Sequence, residues 1–342
     1  MQNGNSALVH RWLLDLLICP DCSGEIPLAV NSGNWEGERL EEGVLGCAGC
    51  GGTWPVRNSV PRFVPEEQDY AGGFGFQWQR WRLTQIDRLN GTTLTTDRLL
   101  TDTGWDRDWI AGRLIFDGGA GAGRFSDALA VMGARVVSLD MSIAIDACCE
   151  TTRVHGDAVQ CIQASLYAIP LRSAAFDAVH CAGVIQHTPE PERTMRAMPR
   201  LLKPGAPLGY NFYERTWSRR LQLLRAGFRL FTPYMSQRAL LKLCEAMVVP
   251  LFPFSRLVSR LRFVRFGLRF LPICASHQLE LSRDQQFEWT LLDTFDWYNP
   301  RYDQPQRHRR AAEILDEEGM GDIVSGPGIV RAHQQSPARP TC

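Results

Sequence analysis

The run FDGGAGAGRF, from Phe116 to Phe125, places six glycines and alanines in succession, Gly118 to Gly123. A backbone this bare neither fills a core nor holds a regular helix, and it suits a place where a ligand must lie against the main chain. Downstream, RVVSLD ends on Asp140. A carboxylate at the tip of the second strand of a β-α-β unit accepts hydrogen bonds from ribose hydroxyls, so an adenosine-bearing ligand is expected. Counting G-x-G-x-x-G from Gly119 puts Arg124 where the third glycine must stand, and counting from Gly121 puts Ser126 there, so a dinucleotide site does not fit. A phosphate-binding P-loop fails too, because no G-K-[ST] follows.

The second chemistry is soft. CPDC (Cys19, Cys22) and CAGC (Cys47, Cys50) are two C-x2-C knuckles, and two such knuckles complete a tetrahedral set of four thiolates that suits a structural zinc ion. Gly24, Gly51 and Gly52 follow the pairs and offer the positive φ that knuckles often need. The intervening NSGNWEGERLEEG reads as a hairpin excursion. Two redox C-x-x-C pairs are the alternative, and no thioredoxin-like strand and helix pattern surrounds either pair.

The elements that must position these groups follow from periodicity. Leu114, Ile115 and Phe116 form a short buried strand, the loop runs from Asp117 to Gly123, RFSDALAVMG makes a helix stopped by Gly133, and RVVSLD is the next strand. Around them lies a chain of 342 residues with 44% apolar and 10% aromatic residues, the make-up of a protein with a large core. Lys plus Arg equals Asp plus Glu, so whole-chain charge indicates no polyanionic partner. The apolar run ALVHRWLLDLLIC is broken by His10, Arg11 and Asp15, and no stretch approaches a membrane span. A cytoplasmic location is the expectation despite eleven cysteines.

The loop reads D-x-G-x-G-x-G through Asp117, Gly119, Gly121 and Gly123, which resembles the first motif of class I S-adenosylmethionine-dependent methyltransferases of the type 11 kind. The later motifs follow in order between Ala158 and Arg215: a strand to Ala164, a turn at Ile169-Pro170-Leu171, a strand FDAVHCAGV, a helix ending at LLKPGA and a strand PLGYNFY. HRRAAEILDEEGMGDIVSGPGIVRAH then supplies a helix and a hairpin with its turn at Gly326 to Gly328, matching the antiparallel last strand of that fold. The resemblance covers most of 113–214 and 306–333. It implies an α/β, Rossmann-like seven-stranded sheet. It also implies S-adenosylmethionine as cofactor, held by Asp117, Gly118, Gly119, Gly121, Gly123, Asp140, Met141, Ser165, Leu166, Ala182 and Gln186. Ser165 stands where many members carry an aspartate toward the adenine amino group.

Residues 1 to 66 resemble the small zinc-ribbon domain that partners translation-factor and RNA methyltransferases and is also fused to bacterial methyltransferases. The expected organisation is therefore a zinc ribbon at 1–66, an N-terminal helical lid at 67–112 and a core at 113–214. A basic helical cap inserted between the fifth and sixth strands at 215–305 and a closing segment at 306–342 complete it.

Phe74, Phe76, Trp78 and Trp81 crowd the lid. They either pack a helix across the sheet or cover a cofactor whose sulfonium is favoured by aromatic faces. In the cap, Ser218 to Cys274 carries ten arginines and one lysine against a single acid, Glu245. That pattern fits solvated cap helices, an anionic membrane surface or lipid-linked substrate, or RNA. LLDTFDWYNPRYDQPQ (Leu291 to Gln306) reads as a loop re-entering the core for acceptor recognition. The substrate-facing candidates are Phe76, Trp78, Asp296, Tyr298 and Tyr302, with a rigid surface turn as the alternative.

Methyl transfer from a sulfonium is an in-line displacement that needs positioning and exclusion of water more than special side chains. A hydroxyl acceptor adds the need for a base, and His187, in GVIQHTPEP past the fourth strand, is the candidate, with capping or cofactor contact as its other possible roles. The signature [DN]-P-P-[YF] of amino-group methyltransferases is absent, since CAGVIQH occupies the equivalent stretch. This favours a small-molecule, sugar or lipid-linked acceptor over RNA or protein; a non-catalytic cofactor-binding scaffold is the competing class.

Overall fold

The structure is a computed structural model and describes residues 9–22, 25–64, 72–217, 222–260, 265–275, 277–278 and 280–335. The N-terminal part forms a small antiparallel sheet. Its strands are β1 (Val9–His10), β2 (Leu28–Glu36), β3 (Arg39–Cys47), β4 (Thr53–Arg57) and β5 (Val60–Pro61), with a helical turn α1 (Arg11–Leu14) after β1. The β2–β3 hairpin occupies the span between the two cysteine knuckles, as the sequence reading expected.

A helical stretch follows: α2 (Gly72–Arg80), α3 (Asp87–Asn90), α4 (Leu94–Thr103) and α5 (Arg107–Ile110). The main sheet then alternates strands and helices through β6 (Leu114–Gly118), α6 (Arg124–Val131), β7 (Arg135–Asp140), α7 (Ala144–Thr152), β8 (Val159–Gln163), β9 (Ala178–Ala182), α8 (Pro191–Ala197) and β10 (Pro207–Asn211). Helices α9 (Leu223–Phe228), α10 (Gln237–Ser259) and α11 (Arg283–Tyr298) form the cap. The chain closes with α12 (His308–Glu317), β11 (Met320–Gly326) and β12 (Ile329–Gln334).

The seven strands run in the order β11-β12-β10-β9-β6-β7-β8. The pairs β10–β9, β9–β6, β6–β7 and β7–β8 are parallel, whereas β12 is antiparallel to both β10 and β11. This is the Rossmann-like class I methyltransferase architecture that the motifs implied, with the cap inserted between the fifth and sixth strands. Strand order reverses at β6, which has β7 on one side and β9 on the other. The crevice at the carboxyl ends of β6 and β9 is therefore the place where an open α/β sheet binds ligands.

Both faces of the parallel strands are covered, which is why they read as unbroken apolar runs. Leu99, Ile110, Ile115, Leu129 and Val136 form the core on one face. On the other, Phe116, Val137, Val179 and Cys181 share one cluster with Val9, Leu13, Leu17, Leu40, Leu45 and Val56 of the N-terminal sheet. Arg39 and Asp157 form an ion pair at 2.7 Å and Arg62 reaches Asp146 at 2.6 Å, so the ribbon is fixed to the α7–β8 side. A third core belongs to the cap, where Leu240, Cys244, Val248 and Phe252 of α10 pack with Leu291, Leu292, Phe295 and Tyr298 of α11, joined by Trp81.

Two expectations change here. Residues 291–298 are the last two turns of α11 and not a loop. Ser282 and Gln285 close a capping box at its start, and the helix ends at Tyr298 with Asn299 as its C-cap, ahead of Pro300, which has no N–H to continue the ladder. Nor are the arginines of the basic segment uniformly solvated. Arg225 is buried and ion-paired to Asp303 at 2.9 Å, and Arg229 donates to the carbonyls of Trp297 and Pro300. Arg262 lies outside the described residues.

Candidate active site

The glycine loop is clamped to strand β7. The N–H groups of Gly119 and Ala120 donate to the Leu139 carbonyl at 2.7 and 2.9 Å, and that of Gly121 donates to Asp140 Oδ2 at 2.9 Å. Gly119 has φ +76°, and a Cβ there would lie 2.2 Å from Val184 Cγ2. At Gly121, φ is +54° and a Cβ would meet the Trp78 indole nitrogen at 2.9 Å. Any side chain at either position would combine a strained backbone with a collision. Asp140 Oδ1 accepts from the backbone N–H and hydroxyl of Ser142, which fixes the carboxylate at the strand tip.

This loop floors a cavity of about 200 Å³. Met141, Leu166 and Ala182 extend the floor, and α2 roofs it with Phe74, Gln77 and Trp78. Residues i, i+3 and i+4 of a helix share one face, so the same turn sends Phe76 the other way, into the cap beside Phe295, with ring centroids 5.9 Å apart. Trp81 likewise enters the cap core and donates to Glu288 at 2.9 Å. The aromatic cluster is thus both a roof and a packing face.

The far wall is polar. His187 is buried in a 3-10 turn at Ile185–His187 just past β9. Its Nδ1 lies 2.9 Å from the Tyr302 carbonyl oxygen, an acceptor only, so Nδ1 carries the hydrogen and Nε2 the lone pair. Nε2 is buried and has no partner among the described residues. The ring packs against Phe74, with centroids 5.4 Å apart, and meets Tyr213 edge-on at 5.3 Å. Burial pushes the imidazole below its ordinary value, against the opposing charge of Asp296, and so favours the neutral, basic form. Beside it, Tyr213 donates to Asp296 Oδ2 at 2.8 Å while Gln77 donates to Oδ1 at 3.0 Å. Arg98, Arg124 and Asp293 complete this end.

Of the residues expected from sequence, Gly119, Gly121, Asp140, Met141, Leu166, Ala182, Trp78, His187 and Asp296 line this one cavity. The others stand elsewhere. Asp117 belongs to β6 and is buried, and its carboxylate is taken up by the Ser126 hydroxyl at 2.6 Å and His180 Nδ1 at 2.8 Å, so it supports the loop from behind. Gly118 is likewise in the strand, and Gly123 packs on Cys148. The Ser165 hydroxyl accepts from the Tyr167 N–H and caps its own turn. Gln186 accepts from the Tyr213 N–H at 3.3 Å. Tyr298 is enclosed in the cap with its hydroxyl donating to the Pro272 carbonyl, and Tyr302 contributes its backbone oxygen rather than its ring. Asp293, in the stretch expected to recognise the acceptor, also lines the cavity, whereas Gln77, Gln85, Arg98, Arg124 and Tyr213 were not expected. Gln77 alone had a signal, three residues after Phe74 on a helical pattern.

The four knuckle cysteines come together with all Sγ atoms within 4.8 Å of one another. Cys19 and Cys50 are 3.7 Å apart, and Cys22 and Cys47 3.5 Å. A tetrahedral zinc with Zn–S of about 2.3 Å has S···S edges of about 3.8 Å, so the donor set fits that ion. Gly49 and Gly52 donate N–H groups to Cys47 and Cys50 sulfur. Gly51 has the expected positive φ of +75°, Gly52 does not, and Gly24 lies outside the described residues.

Comparison with known proteins agrees with this geometry. Residues 116–208 match the family model described as Methyltransferase domain. Over 112 residues it is 33% identical to the ubiquinone biosynthesis O-methyltransferase of Xanthomonas oryzae pv. oryzae (strain PXO99A), covering 31% of this chain and 46% of that protein. It is 31% identical over 112 residues to the protein of that name from Pseudomonas putida (strain GB-1), covering 32% and 48%. The chain thus spans about half the length of the curated relatives it matches. Among solved structures it is similar to magnesium protoporphyrin IX methyltransferase from Synechocystis PCC 6803 with bound SAH, at 16% identity and a TM-score of 0.44, covering 78% of this chain and 98% of that one.

Asp293 gives the site a testable electrostatic signature. Burial, and then the Asp296 charge, push its carboxyl up to about 7 from an ordinary 3.8. With the folded value above the unfolded one, its stabilising contribution is full below pH 3.8 and is lost as pH rises through 7. Asp293→Asn keeps the shape without the charge. Its thermal midpoint relative to wild type is expected to be higher at pH 8 than at pH 5, and equal differences at the two pH values would count against this account.

Proposed function

We propose that the protein transfers the methyl group of S-adenosylmethionine to a hydroxyl of a small-molecule, sugar or lipid-linked acceptor, with His187 as general base. One observation carries the reading: the cavity whose floor is the glycine loop and Asp140 is lined by a buried His187 whose Nε2 has no hydrogen-bond partner among the described residues. The cofactor, when bound, supplies a methyl activated by a sulfonium. Asp140 accepts ribose hydroxyls, the bare main chain at Gly119–Gly121 leaves room for the methionine part, and Leu166 and Ala182 offer apolar contact to the adenine. Phe74 and Trp78 provide aromatic faces that favour a nearby cation. His187 removes the acceptor proton through Nε2, held in the required tautomer by the Tyr302 carbonyl. The names of the curated relatives, which are O-methyltransferases, support an oxygen acceptor.

Titration with S-adenosylmethionine is expected to show one binding site in the wild type and at least tenfold weaker binding in Gly121→Ala at unchanged far-UV circular dichroism. His187→Ala is expected to keep cofactor affinity within about threefold and to lower methyl transfer to hydroxyl acceptors by about 10²–10⁴-fold. A flat wild-type titration sinks the reading.

The cysteine cluster we assign to zinc. Four thiolates leave no open coordination position, so the ion would be structural. It would tie the β2–β3 hairpin to the segment that bridges the core at Leu17 and Leu171. Metal analysis of purified protein is expected to find one equivalent of zinc; less than about half an equivalent would argue against it.

The lipid-linked option and a peripheral membrane contact rest on the outer face of the cap. Trp217, Leu223, Leu224, Leu230 and Tyr234 are each more than half exposed, as are Val249, Phe254 and Leu257 along α10. Arg238, Lys242 and Arg260 are exposed on the same helix. Large apolar side chains beside cations are what an anionic bilayer surface takes up. Co-sedimentation with vesicles containing phosphatidylglycerol is expected at low salt, weakened in Leu223→Ser/Leu230→Ser. Equal recovery with purely zwitterionic vesicles would remove the electrostatic part of the contact, and no recovery with either would remove the contact.

A further inference from the structure

The wall of the cavity opposite the glycine loop carries more polar chemistry than His187 needs. Asp293 and Asp296 stand one turn apart on α11, and both face the cavity. Asp296 is seated by Gln77 and Tyr213, each of its oxygens taking one bond and keeping a lone pair. Asp293 is different. Its hydrogen bond among the described residues comes from the Cys274 thiol at 3.9 Å, a weak donor. Burial and the neighbouring carboxylate act together to resist its ionisation. One carboxyl group with a single weak bond, beside another that keeps a lone pair on each oxygen, leaves this wall of the cavity able to take hydrogen bonds from a ligand.

Charge decides which ligand. Arg98 and Arg124 face the same space, and burial pushes the Arg124 guanidinium down to about 9. The cofactor of the proposed reaction brings a net positive charge, and His187 is neutral. Against these stand Asp140, Asp296 and a partly protonated Asp293. A cationic acceptor would add to a positive excess, whereas a neutral hydroxyl adds nothing. A hydroxyl can also donate to an ionised carboxylate and accept from a protonated one, so it serves either state of the pair.

We propose that Asp293 and Asp296 form an acceptor subsite that binds a second hydroxyl of a neutral diol-like acceptor while the first faces His187. This deepens the methyl-transfer reading and rests on it. The test uses the full chain saturated with sinefungin, an analogue that keeps the positive charge of the methyl donor, and three probes built on one ring: cis-1,2-cyclohexanediol, cyclohexanol and cyclohexylamine. Ligand-observed saturation-transfer NMR reads their affinities. The diol is expected to bind about tenfold more tightly than the mono-alcohol, because losing the second hydroxyl leaves buried acceptors unpaired. Asp293→Asn and Asp296→Asn are each expected to reduce that ratio below about threefold, with sinefungin affinity changed less than threefold. The subsite is overturned if diol and mono-alcohol bind the wild type alike, if the amine binds most tightly, or if both folded variants keep the preference. Should a variant not fold, the wild-type comparison of the three probes decides alone. Failure of the wild type to bind sinefungin would overturn the methyl-transfer reading instead, so the two failures are distinguishable.

Discussion

The main-chain clamp between the glycine loop and strand β7 governs the rest of the site. Three consecutive N–H groups, those of Gly119, Ala120 and Gly121, are consumed by the Leu139 carbonyl and the Asp140 carboxylate. Backbone groups buried at a strand end must find partners, and these find them in Leu139 and Asp140 at the tip of β7. The floor and its carboxylate are therefore set by one hydrogen-bonded unit. Behind it, Asp117 with Ser126, Ser138 and His180 forms a buried network that fixes the end of β6.

Upon that floor, two segments distant in sequence build the roof and wall. Helix α2 lies between the glycine loop and the cap, with Phe74 and Trp78 turned to the cavity and Phe76 and Trp81 turned to the cap core. Helix α11 gives Phe295 to that same core and Asp296 to the cavity. A change that repacks the cap thus also moves the polar wall, because a single helix serves both faces. The N-terminal sheet acts from the opposite side. Its Leu13, Leu17 and Leu45 complete the core under Phe116 and Val137, which places the cysteine cluster on a rigid support.

What the sequence disclosed, and what it withheld, follows from the range of each interaction. The glycine loop, Asp140, the knuckle cysteines and His187 are defined by spacing over a few residues at the ends of regular elements, and spacing is what a sequence displays. The cavity-facing roles of Arg98, Arg124 and Tyr213 depend on segments distant in sequence meeting over the sheet, which no local pattern encodes. Helix α11 itself was misread at its end because Thr, Asp, Phe, Trp and Tyr are indifferent helix formers and Asn-Pro follows. The pairing of Leu291 and Leu292 with Phe295, which holds the last turns, becomes visible only against α10. Arginine counts had a similar limit, since a count cannot separate Arg225, locked on Asp303, from Arg238 in solvent.

The return of the chain from the cap has a bearing on His187. Tyr302 fixes the His187 tautomer through its carbonyl, and two residues later Gln304 donates its N–H to the Gln186 carbonyl and its side-chain amide to those of Thr188 and Pro189. The turn that bears His187 is thereby latched by the segment that leads out of the cap. Swinging that segment outward would free the imidazole to change tautomer and rotate, and closing it would restore the proton-accepting nitrogen. Such an arrangement makes the orientation of His187 conditional on a distant stretch of chain: a displacement beyond the cap would be felt at a ring that lines the cavity.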